Sequence, residues 1–137
     1  MLSPKRTKFR KFQRKSHAQK AICVSKKDLI FGTSGLKALQ FGRIPARCLE
    51  AARRVMIRHF KRNARIWLRV FPHLGVSTKP AEVRMGKGKG PHAYWAACVR
   101  PGQVIFEFGG IDPQIAKEAA RLGGTKLPVK TQFILEK

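Results

Sequence analysis

The amino-acid sequence predicts an α+β domain with a mostly antiparallel sheet and two helices, preceded by an extended basic N-terminal arm. In residues 65–71, aliphatic side chains alternate with arginine and aromatic ones, and this two-residue period is typical of a strand. Residues 45–63 carry apolar side chains at helical spacing, and Asp112 followed by Pro113 is typical of a helix start. Strand patterns also lie before, between and after the two helical ones. This order indicates one mixed domain, which we assign to residues 28–137.

The arm, residues 1–27, cannot form part of a hydrophobic core. It contains ten Lys or Arg and no Asp or Glu, so it repels itself and is expected to stay extended until a partner neutralises it. Phe9 and Phe12 are its aromatic residues. They either stack on nucleic-acid bases or anchor the arm to its own domain. The arm cations that we assign to nucleic-acid contact are Lys5, Arg6, Lys8, Arg10, Lys11, Arg14 and Lys15.

A short strand and then a helix are expected to open the domain. Residues 29–31 are apolar and precede Gly32, which indicates a strand entering a turn, and Gly42 and Pro45 bracket a second turn. Proline is favoured at the first position of a helix, and the helical pattern continues from Pro45 to about residue 63. The apolar residues that share one side of this helix are Leu49, Ala52, Met56 and Phe60.

The opposite side of this helix carries a cationic face. Its five members project within about 100° of one another at 3.6 residues per turn, while Glu50 is the single acid of the helix. A charged face is most often only solvated. Solvated faces usually interleave opposite charges, however, because like charges one turn apart destabilise a helix by about 0.2–0.5 kcal/mol per pair. The pattern therefore favours phosphate contact through Arg47, Arg54, Arg58, Lys61 and Arg62.

The second half of the chain is expected to supply the remaining sheet. Residues 65–71 form a strand ended by Pro72, with Trp67 and Phe71 on one face together with two arginines. Those two rings either stack on nucleotides or pack beneath a loop or neighbouring strand. Residues 72–80 are expected to be a loop. Strands at 93–99 and 103–108 are then expected to pair as a hairpin.

The final elements are a helix and a strand. Asp112 can cap free backbone N–H groups at the start of the helix, and Gly123 with Gly124 ends it. The narrow apolar stripe of this helix suits close packing on a sheet, and residues 129–135 form the last strand. The members of that stripe are Ile115, Ala116, Ala119 and Leu122.

The Gly/Lys loop, residues 77–92, contains the most informative stretch of the chain. Residues 84–90 are Arg-Met-Gly-Lys-Gly-Lys-Gly. Glycine permits positive φ and close approach to a partner, while lysine supplies positive charge on a long, mobile stem. Taken alone, the stretch fits a flexible surface hairpin and a phosphate cradle equally well.

The composition favours a nucleic-acid partner and argues against catalysis. Thirty Lys or Arg against seven Asp or Glu give a formal charge of +23, for which a polyanion is the natural compensator. No apolar run approaches the roughly 20 residues of a transmembrane helix, so we expect no membrane partner. The acids and histidines are scattered, without a nucleotide-binding loop or a convergent acid–base pair. We therefore expect no enzyme activity, no cofactor and no small-molecule substrate.

The three cysteines do not indicate a metal site or a disulfide framework. Cys23, Cys48 and Cys98 are odd in number and widely spaced, without the paired spacing of zinc ligands. We expect them to be reduced and structural, and we expect no metal.

Several blocks of this sequence resemble the large-subunit ribosomal protein L16 family, also called uL16, of the bacterial and organellar type. The resemblance covers nearly the whole chain in order, and the Gly/Lys block is its most specific part. The blocks are residues 4–11 in the arm, 50–54 in the first helix, 66–72 in the strand, 79–80 and 84–90 in the loop, and 126–128 and 131–133 near the end.

The resemblance implies an L16-like domain containing a β-hammerhead, with a structural role in the large ribosomal subunit. Its partners would be large-subunit rRNA near the central protuberance, aminoacyl-tRNA in the A site and neighbouring large-subunit ribosomal proteins. In the family the arm and the loop penetrate rRNA, the loop reaches toward tRNA, and incorporation is a late assembly step. By matching position, Arg84 is the candidate to brace RNA near the tRNA. The loop residues implied to lie near rRNA and tRNA are Lys79, Arg84, Met85, Gly86, Lys87, Gly88, Lys89 and Gly90.

Two alternatives and one expectation about compartment accompany this interpretation. A free RNA-binding assembly factor or RNA chaperone would show the same basic composition. A nuclease or RNA-modifying enzyme would need an acid–base pair that the sequence lacks. The family block begins almost at Met1, so we expect no presequence. Sparse acids and nine Phe favour a mitochondrial ribosome in the matrix, with the plastid and the bacterial cytoplasm as alternatives.

Overall fold

The computed structural model describes residues 2–13 and 28–136, and within them the chain is an α+β domain, as predicted. No helix in this described part is long and apolar enough to cross a membrane. Its helices and strands, in chain order, are β1 Ser34–Ala38, β2 Gly42–Pro45, α1 Ala46–His59, β3 Arg65–Leu68, β4 Leu74–Ser77, β5 His92–Val99, β6 Val104–Gly109, α2 Pro113–Gly124 and β7 Thr131–Leu135.

The strands form two antiparallel sheets. The four-stranded sheet has the order β3-β6-β1-β7, and the three-stranded sheet has the order β2-β5-β4. The predicted hairpin between the strands at 93–99 and 103–108 is wrong, because β5 and β6 lie in different sheets. Their connecting turn bonds to β1 instead: Ala38 donates to the Gln103 carbonyl at 2.8 Å, and Gly102 donates to the Ala38 carbonyl at 2.7 Å. The turn thus passes the chain from one sheet to the other.

Three expectations for the strands need correction. Residues 29–31 are not a strand, because the backbone N–H groups of Ile30 and Phe31 are bound by the Glu107 side chain, and β1 begins later at Ser34. The expected turn at Gly42–Pro45 is strand β2. The expected loop at 72–80 contains strand β4, which pairs with β5. Both missed strands are only four residues long, so neither shows a clear alternating pattern.

Helix α1 presents its apolar side to the core, as predicted. Leu49, Ala52 and Met56 are fully buried, and Phe60, just past the helix, is nearly so. The helix ends at His59 rather than near residue 63. The two residues after Phe60 have positive φ, which an α-helix does not accommodate. Both of these residues, Lys61 and Arg62, belong to the cationic face.

Helix α2 begins where Asp112 and Pro113 predict it. Asp112 Oδ1 accepts from the Gln114 N–H at 2.9 Å, and the helix ends at Gly124. The predicted stripe is rotated, because Ile115 is 43% exposed, whereas Ala116, Ala119, Ala120 and Gly123 are buried. A Cβ on Gly123 would lie 2.7 Å from the Met56 sulfur. The absence of a side chain at this position therefore lets α2 pack closely on α1.

Candidate nucleic-acid interface

The described part of the arm lies beside the Gly/Lys loop, so the structure brings together two features that the sequence predicted separately. Lys11 Nζ donates to the Lys89 carbonyl at 3.1 Å, and Lys89 Nζ donates to the Phe12 carbonyl. The arm also lies on strand β4, where a Cβ on Gly75 would be 2.6 Å from the Arg10 carbonyl oxygen. Glycine at this position permits the close approach of the two backbones.

The two arm phenylalanines take different roles. The Phe12 ring meets the Trp95 ring edge-on, with centroids 6.5 Å apart and planes at 71°. It therefore anchors the arm to β5, which is one of the two alternatives for this residue. Phe9 is 66% exposed, with the Lys8 ammonium 5.7 Å from its centroid. The exposed arm cations are Lys5, Arg6, Lys8, Arg10 and Lys11, while Arg14 and Lys15 lie outside the described residues.

The Gly/Lys loop is the tip of a hairpin formed by β4 and β5. Gly90 closes its base, because a Cβ there would be 2.5 Å from the Thr78 carbonyl oxygen. Residues 81–89 are exposed, and Met85 is 99% exposed. At Gly86 and Gly88 a Cβ would meet nothing within 4 Å. The loop thus projects away from the domain into open space.

Within the loop, backbone conformation and lysine contacts set its shape. Gly86, Lys87 and Gly88 have φ of 98°, 52° and 80°. Lys79 Nζ donates to the Gly86 carbonyl and therefore braces the loop from inside. Arg84 and Lys87 are exposed, and no acid pairs with them among the described residues. These two cations are thus available to an anionic partner.

The cationic face of α1 retains most of its charge. All five of its members are exposed. Glu50 accepts from Arg53 at 2.7 and 2.8 Å and from Arg54 at 3.0 Å. The two hydrogen bonds from Arg53 are the main cause, and together with the one from Arg54 they outweigh the effect of burial and lower the pKa of Glu50 to about 2. The described acids leave Arg58, Lys61 and Arg62 without an ion-pair partner, and an open cavity of about 470 Å³ lies among them.

Strand β5 separates the cationic face from the arm. Arg47 of the cationic face stands over the Tyr94 ring, 5.8 Å from its centroid, whereas Phe12 of the arm contacts Trp95. Neighbouring residues of a strand point to opposite faces of a sheet. The predicted cations therefore form two surfaces, one on each side of the three-stranded sheet.

Glu107 is a structural centre that the sequence interpretation missed. Its fully buried carboxylate accepts from the Phe31 N–H at 2.6 Å and from the Gly32 N–H at 3.1 Å. Ile30 donates as well, and Arg69 forms an ion pair with the same carboxylate. Burial raises the pKa of Glu107, but these hydrogen bonds together outweigh it and lower the pKa below its usual value. One sequence signal was available: Glu107 is the single acid in the apolar run of β6.

The structure also shows the environments of Trp67, Phe71 and two of the cysteines. Trp67 stacks with Phe31, so it packs against the segment before β1, whereas Phe71 is 48% exposed. Cys48 and Cys98 are free, and Cys23 lies outside the described residues. Across residues 2–13 and 28–136, no three His, Cys, Asp or Glu side chains come together as metal ligands would.

Comparison with known proteins identifies the family. Residues 4–134 match the model of the family described as ribosomal protein L16p/L10e. The chain belongs to this family. The L16p/L10e match covers most of the arm, both helices and nearly all of β7, and membership supports a structural ribosomal role rather than an enzymatic one.

Two L16p/L10e relatives match nearly from end to end. The large ribosomal subunit protein uL16m of Prototheca wickerhamii is 55% identical over 135 residues, which cover 98% of each chain. The large ribosomal subunit protein uL16 of Bartonella henselae is 56% identical over 135 residues, which cover 98% of this chain and 96% of the relative. The chain is thus equally similar to an organellar and to a bacterial relative.

Proposed function

We propose that this L16p/L10e chain binds large-subunit rRNA as a resident structural protein and supports aminoacyl-tRNA positioning in the A site. The observation that carries the proposal is the interlocked arm and loop. Two basic segments 78 residues apart in sequence hydrogen-bond to each other, and the other cations of both segments include exposed ones that an anionic partner can reach. The names of the relatives place both proteins in the large ribosomal subunit, which supports the same assignment for this chain.

The mechanism of binding is electrostatic. The cations of the arm, the loop and the cationic face displace counterions condensed on rRNA, and RNA phosphates take the place of the acids that the chain lacks. Recognition follows the shape of the folded RNA and the positions of its phosphates more than its base edges. Residues 1–27 act as the rRNA-binding arm of a single domain, residues 28–137.

The projecting loop is the part that extends toward tRNA. A Cβ at Gly86 or Gly88 would meet nothing within 4 Å, so the backbone of the tip is open on that side. Arg84 and Lys87 carry exposed charges at this tip. Because Lys79 and Lys89 use their ammonium groups to hold the loop and the arm, they fix its shape as well as adding charge.

Replacing Arg84, Lys87 and Lys89 together by Gln tests the role of the loop. Counterion release contributes about 0.7–0.9 to the log–log salt dependence of RNA binding for each phosphate contact, so the loss of three cations should reduce the slope by about 2–3. Maturation of the large subunit, followed by gradient profiles, and tRNA binding to purified subunits should both be impaired. A matched control replaces three exposed lysines elsewhere and should leave both unchanged; these are Lys117, Lys126 and Lys130. Normal tRNA binding in the loop variant would show that the loop does not take part in tRNA positioning.

A salt wash separates this proposal from its alternative, a free assembly factor or RNA chaperone. A resident protein stays on large subunits at one copy per subunit after a wash with concentrated salt, because most of its contacts are shielded within the particle. A factor that exchanges with its target is released. Loss of the chain from mature subunits in this wash would overturn the proposal.

For the compartment, we propose the mitochondrial ribosome, supported by the similarity to uL16m of Prototheca wickerhamii. The relative from Bartonella henselae keeps the bacterial cytoplasm as the alternative, and the plastid stays an expectation from sequence. Immunogold labelling of the chain in source cells would decide. Labelling outside mitochondria would refute the assignment.

A further inference from the structure

A pocket beside β3 lies apart from the arm, the loop and the cationic face, to which the proposed function assigns rRNA binding. Its lining includes an aromatic platform, defined here as Phe31 and Trp67, whose rings stack with centroids 6.1 Å apart and planes at 24°. The Arg69 guanidinium stands 5.5 Å from the Phe31 centroid. Phe31 is nevertheless 57% exposed, and the neighbouring Ile30 is 68% exposed. The pocket has a volume of about 450 Å³, within the range of ligand sites.

The platform is held in place by buried groups. Glu107 accepts the backbone N–H groups of residues 30–32 and thereby fixes the segment that carries Phe31. Gly32 lies against the Phe108 carbonyl, where a Cβ would collide with the oxygen. A Cβ on Gly109 would lie 3.0 Å from the Trp67 ring, so glycine at this position leaves room for the ring.

The exposed ring is the unusual part of this arrangement. An exposed aromatic side chain forgoes the stabilisation that burial would give. Here the buried carboxylate Glu107 fixes a segment whose largest side chain, Phe31, faces solvent. A partner that covers the ring would recover that stabilisation.

The surroundings of the platform indicate the chemistry of that partner. Arg65 and Asn63 line the pocket, and Glu136 is the acid among its lining residues. Lys61 and Arg62 lie in the turn just before, both in the left-handed region and both part of the cationic face. Rings that accept a base, an amide that bonds to base edges and cations that bind phosphate are the combination used for unpaired nucleotides.

We propose that the platform stacks an unpaired base of large-subunit rRNA, with Arg65 binding the adjacent phosphate. This inference rests on the proposed function, because it requires the chain to be bound to rRNA. It adds a base contact at Phe31 and Trp67 to a set of phosphate contacts. Stacking of this kind tolerates any base, so it positions a nucleotide without reading its identity.

The first test compares Phe31→Ala with Phe71→Ala in assembled large subunits. Phe71 is similarly exposed and does not line the pocket, so its replacement controls for loss of a surface ring. Acylation of RNA 2′-hydroxyls reports the mobility of each nucleotide. With Phe31→Ala, one or two rRNA nucleotides should become more reactive by about fivefold or more, and with Phe71→Ala they should not. Equal profiles in the two variants would overturn the inference.

A second test identifies the partner directly. Phe31 is replaced by p-benzoylphenylalanine, and purified large subunits carrying the chain are irradiated. A crosslink to rRNA is expected. A crosslink to a neighbouring ribosomal protein would make the platform a protein contact, and the absence of any crosslink would make it a solvated surface, so both would overturn the inference. Absence of the chain from the subunits would instead overturn the proposed function, and this inference with it.

Discussion

Replacement of Glu107 by Gln should strongly destabilise the domain. Glutamine has the same shape, but it offers one acceptor oxygen and an amide group to a site that contains donors only. Those donors are the backbone N–H groups of residues 30–32 and the Arg69 guanidinium. One or two of them would be left unsatisfied, and Arg69 would become a mostly buried cation without a counterion.

The size of the stability loss follows from the burial of the Glu107–Arg69 ion pair. The Glu107 side chain is 0% exposed and the Arg69 side chain is 12% exposed. Removing one partner of a buried ion pair costs about 3–5 kcal/mol, and partial access of water to Arg69 favours the lower end. With a urea m-value of about 1–3 kcal/mol/M, this loss moves the unfolding midpoint down by about 2 M. Domains of this size have about 5–15 kcal/mol in total, so the variant should fold marginally.

The pH dependence gives this prediction a second readout. The pKa of Glu107 is lowered in the folded state, so its stabilising contribution is fully present above the unfolded pKa of about 4.3. That contribution is lost as the pH falls below this value and through the lowered folded pKa. The wild-type chain should therefore lose stability in acid more steeply than Glu107→Gln, whose side chain does not titrate.

Urea unfolding of the full chain, followed by tryptophan fluorescence, measures both effects, because Trp67 contacts the segment that Glu107 holds. Moderate salt should be present to screen the self-repulsion of a chain with a charge of +23. Glu118→Gln is the matched control, since Glu118 pairs with Arg121 on the exposed surface of α2 and its loss should change the midpoint little. A midpoint for Glu107→Gln equal to that of the control would refute the reasoning.

Two further predictions concern Glu50 and Gly75. By NMR titration the Glu50 carboxylate should show a pKa of about 2, and Arg53→Ala should raise it toward the usual value; a titration unaffected by that change would contradict the assigned cause. Gly75→Ala places a Cβ against the Arg10 carbonyl and should lift the arm from β4. Trypsin should then cleave the arm about fivefold faster, as expected for a loss of about 1 kcal/mol of local stability, while the unfolding midpoint stays nearly constant. Unchanged cleavage would show that the arm does not depend on this contact.

Features set by local chemistry could be predicted from the sequence. Asp112 and Pro113 specify the start of α2 through a capping hydrogen bond and a fixed φ, and both act within one turn. The core side of α1 follows from helical periodicity, because a single side of the helix is apolar. The exposed positions of Arg54 and Arg58 follow from the same periodicity.

Features set by pairing across the chain could not be predicted. β5 pairs with β2 and β4 rather than with β6, the next strand in the chain, and this pairing depends on partners far apart in sequence. The docking of the arm depends on Gly75, a glycine with no local pattern around it. The Phe31 platform depends on Glu107, whose role appears only when a segment 75 to 77 residues away folds over it. Non-local contacts of this kind leave little trace in a sequence window.

The interlock between the arm and the loop has a consequence for the order of events during synthesis. Lys11 and its acceptor, the Lys89 carbonyl, are 78 residues apart, and strand β4 and Trp95, which also receive the arm, are made late as well. At about 5–20 residues per second, translation leaves the arm without its docking site for about 4–16 s. During that time the newborn chain presents an acid-free cationic segment to every nearby polyanion. Docking of the arm can therefore only follow formation of the β4–β5 hairpin.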